Sequence, residues 1–262
     1  MKIHPTAIVD SHAELAGDVE VQPFTIIGPQ VRIGPGTVIG PHCVIEGRTV
    51  LGRNNRVFSG AQIGVVSQDM KHDLQLTGRT DIGDGNVIRE HVTISASTLP
   101  TPEDEHRVTT IGNGCWLMAY SHVGHDCHVA DNVIMANCAS LAGHVEIEDF
   151  ANIGGLVGVH QECVIGTMSF VGGMSRIAQD VPPYMIVEGN PARCRGPNSV
   201  GLRRKGFDEA SRGRIKTMYK IMYRSDFNVT QALHEIESKV EDSAERSAFV
   251  EFFRKSIRGV TR

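Results

Sequence analysis

The chain has no apolar run approaching the roughly 20 residues that cross a bilayer. It has no apolar stretch behind Met1-Lys2 of the kind a secretory signal carries, and no Cys-x-x-Cys pair among its six cysteines. The first two absences point to a cytoplasmic protein without an integral membrane segment. The third, with the interior cysteine positions described below, points to free thiols and not to a disulfide framework. Net positive charge is also missing: the formal charge of the 262 residues is -4, so nothing in it suggests a nucleic-acid partner. The charge is unevenly divided. Residues 1–189 hold 10 Lys+Arg against 21 Asp+Glu, and residues 190–262 hold 16 against 9. A basic terminal segment on an acidic body suits an anionic ligand or an acidic protein partner, or is simply a solvated helical surface.

What the chain does have is a period. A large aliphatic residue recurs every six positions, eleven times from Ile3 to Ile63, three times from Ile82 to Ile94 and twelve times from Ile111 to Ile177, 26 hexads in all. Four positions after each comes a mostly small side chain, as at Thr25, Ala61, Ser121 and Ala139, and Cys43, Cys115, Cys127 and Cys163 share that position. Six matches neither the helical period of 3.6 nor the strand period of 2. It matches a mainly β fold, the parallel β-helix, in which three hexads close one triangular coil and the aliphatic residues stack inward. Such a coil stack needs its ends covered, because an open end is an unpaired sheet edge. Hexapeptide proteins, which the repeat resembles, are left-handed, against the usual right-handed crossover.

Two segments break the repeat, at about 64–80 and 96–109. The first carries Gln68-Asp69-Met70-Lys71-His72-Asp73, a mixed set of charges suited to a polar ligand. The second, with Pro100, Pro102 and Glu103-Asp104-Glu105, reads as solvated loop. The repeat stops near Asp180, and Pro182-Pro183 ends it. Residues 1–189 are expected to form the β-helix and residues 190–262 a C-terminal α-helical domain. Residues 184–206 read as irregular. Helices are expected from an Asp208 N-cap to about Arg224, from about Thr230 to Lys239 and from about Ser243 to Ile257, with Gly259 as the stop. Arg203-Arg204-Lys205 is expected just before the first helix, as a phosphate contact or as exposed charge.

The chemistry is expected at Ser121-His122-Val123-Gly124-His125-Asp126-Cys127. Residues one coil apart stack, so Gly143 and then Gln161 fall over His125, His144 and Glu162 over Asp126, and Ser140 over His122. His125, Gly143, His144, His160 and Gln161 should then form one polar patch roughly 5–10 Å across. A glycine over a histidine lets a ligand approach the backbone N–H, the arrangement of a general base beside an oxyanion donor. A zinc site is the rival reading of clustered histidines. Gamma-class carbonic anhydrases resemble this architecture, but their His-x4-His spacing is absent among His122, His125 and His128. A non-catalytic scaffold is the remaining alternative. Neighbouring strand residues point to opposite faces, so a His125–Asp126 pair needs a turn at Gly124-His125, which Gly124 permits.

The phrases Gln68-Asp69-Met70-Lys71, Ser121 to Cys127, Leu141-Ala142-Gly143-His144-Val145, Val159-His160-Gln161, Ala178-Gln179-Asp180-Val181-Pro182-Pro183-Tyr184, Glu188-Gly189-Asn190 and Gly201-Leu202-Arg203-Arg204-Lys205-Gly206-Phe207 are similar to those of the acyl carrier protein–UDP-N-acetylglucosamine O-acyltransferases of lipid A biosynthesis. The likeness runs from the first hexad to Ser256-Ile257-Arg258-Gly259. A sister N-acyltransferase family carries an extra N-terminal domain, for which hexads beginning at Ile3 are expected to leave no room. The resemblance implies transfer of an R-3-hydroxyacyl chain from acyl carrier protein to the glucosamine 3-position. It implies His125 as general base, Asp126 as its charge partner and the Gly143 amide as oxyanion donor. It implies Asp69 and Lys71 as contacts to sugar and donor, and His122, His144 and Gln161 at the nucleotide sugar, with His160 a further substrate-binding residue. Asn198 and Arg204 would meet the UDP portion, and Gly173 would set acyl chain length. No metal and no cofactor beyond the phosphopantetheine of acyl carrier protein is implied. The acidic carrier protein would be the partner of the basic tail, and the family is a homotrimer with sites between subunits. The sequence departs from the family where many members have His-Arg-Gly-Thr: here stand Ser95-Ala96-Ser97-Thr98, so a basic contact is missing. Val200 replaces a common Glu and Pro191 a common His. The acceptor is therefore open between UDP-N-acetylglucosamine and its 3-amino analogue.

Overall fold

A computed structural model describes residues 2–76, 78–98 and 107–262. Pro100, Pro102 and Glu103-Asp104-Glu105 lie outside the described residues. The six-residue period is written directly into the architecture. Almost every hexad contributes a short strand ending on its aliphatic residue, and every third strand in sequence pairs in parallel, giving three sheets of 11, 9 and 8 strands that form the three faces of a β-helix. The register follows the coil arithmetic: His122 pairs with Ser140 and Val123 with Leu141 on the second face, and His128 pairs with Glu146 on the third. The aliphatic ladders fill the interior, with Ile39, Ile63, Val123, Leu141 and Ile153 fully buried, and Cys43, Cys115, Cys127 and Cys163 lie fully buried beside them as free thiols. Buried Asn55 and Asn86 extend the ladder as a polar rung whose desolvation cost is offset by hydrogen bonds. Each carboxamide donates to a carbonyl one coil on, and Asn86 Oδ1 accepts the Cys115 N–H at 2.7 Å.

The corners explain how so short a strand can turn. The third residue after the inward aliphatic adopts a left-handed backbone, as at Tyr120, Asp126, Cys138, His144, Leu156 and Met174. For an L-residue that conformation costs about 1 kcal/mol or more, which the stacked ladders offset. Where chain is extruded the ladder resumes in phase. Arg79 pairs with Arg48 and Thr109 with Thr80, each across more chain than a single coil holds. The first break is narrower than its pattern indicates, since strand runs on to Val65 and resumes at Arg79. The second begins differently from a solvated loop: Ser95, Ala96, Ser97 and Thr98 are all buried. Their backbone is tied to both neighbours, Ala96 N–H to Val65 O and Ser97 N–H to Arg79 O.

Residues 184–206, expected to be irregular, hold a hairpin and a helix. Strand Met185–Gly189 extends the first sheet, and Ala192–Pro197 folds back antiparallel on it. Four helices follow: α1 (Ser199–Arg204), α2 (Glu209–Arg224), α3 (Val229–Lys239) and α4 (Ala244–Lys255). Arg203 and Arg204 therefore sit inside a helix, in the last turn of α1, and not ahead of the first one. Asp208, Asn228 and Ser243 cap the other three, each accepting a backbone N–H of the first turn. α4 stops at Lys255, before Gly259, whose φ of 75° belongs to the turn that returns the tail to the solenoid. A second apolar core, with Ile215, Met218, Met222, Ile236 and Phe249, joins Met168, Tyr184 and Met185 of the last coils, so the helices cover that end. Buried Asp180 pins the seam, accepting from the Val164 N–H at 2.9 Å and from Ser256 Oγ at 2.6 Å.

Candidate active site

The site forms at the corner between the second and third faces. His122 opens its strand facing out, and its Nδ1 shares a 2.7 Å hydrogen bond with Thr93 Oγ1 one coil away. The chain then turns at His125-Asp126, with Asp126 at a φ of 57°. This left-handed corner resolves the geometric objection to a pair of consecutive residues. The turn lies at His125-Asp126 and not at Gly124-His125, and it swings the carboxylate sideways. His125 Nδ1–H donates to Asp126 Oδ2 at 2.8 Å. The tautomer this enforces leaves Nε2 as the free lone pair.

Gly143 lies against the His125 ring. A Cβ placed there would come within 3.0 Å of Cε1, Nε2 and Nδ1, so no other residue type fits beneath the imidazole as it stands. The Gly143 carbonyl accepts the Glu162 N–H at 3.2 Å, while its own N–H donates to no group among the described residues. His144 stands edge-on to His125, with ring centroids 5.1 Å apart, and its Nε2 is 3.8 Å from Asp126 Oδ2. The atoms of His125, Asp126 and His144 that could ligate a metal ion lie within 4.8 Å of one another.

Asp126 is 5% exposed and its surroundings decide its charge. Burial, the largest influence, would raise the carboxyl. Hydrogen bonds from His125, from the Thr98 hydroxyl and from the Thr98 N–H, with the nearby His144, outweigh it and hold the group below its ordinary value. His122 is held low by burial first and by the neighbouring His125 second.

The expected patch is only partly assembled. His125, Asp126, Gly143 and His144 converge. His160 does not join them: it lies exposed on the second face, one position before its corner, with Nδ1 3.3 Å from the Gln161 carbonyl. It shares with His122 and Arg176 an open groove of about 370 Å³. His144 borders a larger groove of about 930 Å³ between the third face and α4. Gln161 is exposed at the next coil. Asp69 and Lys71 lie on the first extruded segment, where Asp69 Oδ1 accepts the Lys71 N–H at 2.9 Å. Asn198 caps α1, accepting the Gly201 N–H at 3.1 Å and donating to Met168 O at 2.9 Å, and Arg204 is exposed at the end of that helix. Gly173 is exposed beside Gly155. Among the described residues none of His160, Gln161, Asp69, Lys71, Asn198, Arg204 and Gly173 is hydrogen-bonded or ion-paired to His125 or Asp126. The contacts of Thr98, Thr93 and Arg107 with this corner escape the repeat arithmetic. For Thr98 the sequence signal is its place in the hydroxyl-rich Ser95-Ala96-Ser97-Thr98 at a break of the repeat.

Comparison with known proteins matches two stretches of the chain. Residues 109–143 match the family model of the bacterial transferase hexapeptide (six repeats), and residues 180–261 match domain 2 of UDP-N-acetylglucosamine O-acyltransferase. The chain is 44% identical over 264 residues to the acyl-[acyl-carrier-protein]–UDP-N-acetylglucosamine O-acyltransferase of Herminiimonas arsenicoxydans, with 99% of each covered. The LpxA structure from Acinetobacter baumannii superposes with a TM-score of 0.93 at 39% identity, covering 99% of both chains. The UDP-N-acetylglucosamine O-acyltransferase structure from Moraxella catarrhalis does so at 0.95 and 37%, covering both chains in full. The superposition carries the hand of the coil, which is left-handed.

Proposed function

This chain belongs to the acyl-[acyl-carrier-protein]–UDP-N-acetylglucosamine O-acyltransferase family, and on that premise we propose that it moves an R-3-hydroxyacyl chain from acyl carrier protein to the glucosamine 3-hydroxyl of UDP-N-acetylglucosamine, the opening step of lipid A biosynthesis. The observation that carries the mechanism is the His125–Asp126 hydrogen bond at 2.8 Å with Gly143 against the ring. His125 Nε2 takes the proton of the attacking 3-hydroxyl as its oxygen bonds to the thioester carbon. Asp126 keeps the imidazole in the required tautomer and balances the imidazolium. The Gly143 N–H meets the oxyanion of the tetrahedral intermediate. Collapse breaks the C–S bond, and the imidazolium returns its proton to the departing phosphopantetheine thiolate. The chain's own residues supply the acid–base chemistry, and we infer no metal and no cofactor beyond that carried by the donor. Much of the rate then comes from holding two substrates in line.

The outlying residues take the binding roles in this reading. Asp69 and Lys71 reach sugar and donor, His122, His160 and Gln161 line the nucleotide sugar together with the converged His144, Asn198 and Arg204 meet the UDP, and Gly173 bounds the acyl chain. Their separation within one chain fits a site completed between subunits of a homotrimer. Exposed Tyr120, Leu156 and Met174, which occupy the same position on different coils of one corner, offer apolar surface for such a contact. The β-helix of residues 1–189 carries the site, and the basic segment of residues 190–262 faces the acidic carrier protein. No described helix is long and apolar enough to cross a membrane, in keeping with a cytoplasmic enzyme meeting that carrier.

The test is transfer from a panel of R-3-hydroxyacyl carrier proteins to UDP-N-acetylglucosamine and to its 3-amino analogue, with wild type and His125→Ala, in the presence of a chelator. The proposal expects ester formation that survives chelation and is lost in the variant. Preference for the amino analogue would move the reading to amide synthesis. Transfer abolished by the chelator, or undiminished in His125→Ala, would sink the general-base mechanism.

A further inference from the structure

Asp126 is held from a side that the repeat does not provide. Thr98 Oγ1 donates to Asp126 Oδ2 at 2.6 Å, and the Thr98 N–H adds a second bond at 3.2 Å. Thr98 is 8% exposed, so this pair is nearly dry. Arg107, at the returning end of the second extruded segment, donates from Nη1 to Thr98 Oγ1 at 3.2 Å, and the same nitrogen is 4.0 Å from Asp126 Oδ2. Arg107 is itself anchored, since Ser97 Oγ donates to its carbonyl at 2.9 Å. The Asp126 N–H donates to Thr109 Oγ1 at 2.9 Å, closing the enclosure.

The donors form one directed chain. The guanidinium donates to the Thr98 hydroxyl, the hydroxyl donates to the Asp126 carboxylate, and the carboxylate accepts the Nδ1–H of His125. Each donor polarises the next, and the Thr98–Asp126 part of the chain is screened from water while the Arg107 side chain is 39% exposed. Two consequences follow for a base at the far end. The carboxylate has one orientation, because both side-chain donors and the Thr98 N–H converge on Oδ2. Its negative charge is also partly balanced from behind, so less of it is left to hold a proton on His125. Ala96 carries no charge, and Arg107 brings one to the corner from the opposite end of the segment.

We propose that Thr98 and Arg107 are positioning residues of the transfer reaction, holding Asp126 charged and singly oriented so that His125 presents a neutral Nε2 to the acceptor. This rests on His125 being the general base. Neither residue touches substrate in this proposal; both act through Asp126. The charged and titratable groups that face the pair are His122 on the preceding strand, His144 on the coil corner and Arg107 from the extruded segment, with the buried Cys127 thiol adjoining.

The experiment uses the full chain and compares wild type with Thr98→Val, Thr98→Ser, Arg107→Gln and Arg107→Lys. Valine keeps the shape and the backbone N–H of Thr98 and removes only the hydroxyl. The first readout is the titration of the His125 Cε1–H signal in histidine-labelled protein, assigned by its loss in His125→Ala. Thr98→Val and Arg107→Gln should each move that midpoint upward by about half a pH unit or more, because the carboxylate facing His125 is then less balanced. Serine and lysine should restore it. The second readout is the pH profile of transfer. The acid limb of kcat should move with the midpoint, and Thr98→Val should lower the plateau by about tenfold with KM unchanged. An unmoved midpoint in Thr98→Val and Arg107→Gln overturns the inference, whether or not kcat falls, since a uniform loss is what looser packing alone would give. If wild type transfers to neither acceptor, the proposed function fails, and the His125 titration still decides whether the chain of donors acts on the pair.

Discussion

Replacing Gly143 with alanine separates catalysis from folding at one atom. A Cβ at that position would crowd Cε1, Nε2 and Nδ1 of His125 to within 3.0 Å, where ordinary contact begins at 3.4 Å. The backbone cannot yield easily, because the Gly143 carbonyl is bonded to Glu162 N and the flanking residues are laddered to the coils on either side. The imidazole must therefore retreat by about 1 Å, and a displacement of that size at a reacting group typically costs about 10²-fold. The added methyl also stands beside the N–H proposed to meet the oxyanion, a contact worth roughly 10²–10³ in kcat by itself. The expected result is a transfer rate reduced by at least about 10²-fold, or about 2.7 kcal/mol of transition-state stabilisation. Stability should barely change, since Gly143 does not use the left-handed backbone that alanine resists. The assay is the initial rate at saturating donor and acceptor, paired with a thermal melt followed by circular dichroism. A variant that transfers within threefold of wild type refutes the placement of the base over this glycine. A melt lowered by more than about 10 °C would show that the residue serves the coil and not the reaction.

Four further outcomes are expected. Gly213, within α2, has open space around its missing side chain, so Gly213→Ala should raise the unfolding free energy by about 0.5–1 kcal/mol in a denaturant titration. Leu141→Ala empties a fully buried rung and should lower it by about 2–5 kcal/mol in the same measurement. Burial pushes the Cys127 thiol up to about 12 and those of Cys43, Cys115 and Cys163 up to about 11, so a thiol reagent at pH 8 should leave these four unlabelled until guanidinium is added. His122 has its protonation depressed by burial and by His125, so its contribution to stability is present above the unfolded value of about 6.5 and is lost as pH falls through the lower folded value. His122→Gln should therefore flatten the decline of melting temperature below about pH 6.5.

Most of the solenoid and half of the site can be read from spacing alone, for a physical reason. In a ladder each residue's neighbour is the one a fixed count away, so the phase of Val123 and Leu141 places Gly143 against His125 before any coordinates are known. Where the count fails, prediction fails with it. Thr98 meets Asp126 across 28 residues and Thr93 meets His122 across 29, because extruded chain has been inserted between them. His160 falls outside the patch by one position: the ladder places it on a face, while His125 and His144 lie at a corner. The hairpin of Met185–Gly189 and Ala192–Pro197 hides behind glycines and prolines that read as loop, since its pairing is to the last coil and not to any repeat of its own. The helices beyond it are visible because their caps and apolar faces are local signals.

The extruded segments leave the coil and rejoin it in register, with Thr109 back beside Thr80 and Ile111 beside Ile82. Their length is thereby uncoupled from the pairing on either side. Residues can be gained or lost there by descent without shifting a single rung, whereas an insertion elsewhere must arrive as a whole coil of three hexads to be tolerated. Inheritance can hold the scaffold and the His125 corner still while the segments vary. An arginine such as Arg107, 4.0 Å from Asp126, can be brought to the corner from such a segment without moving a rung.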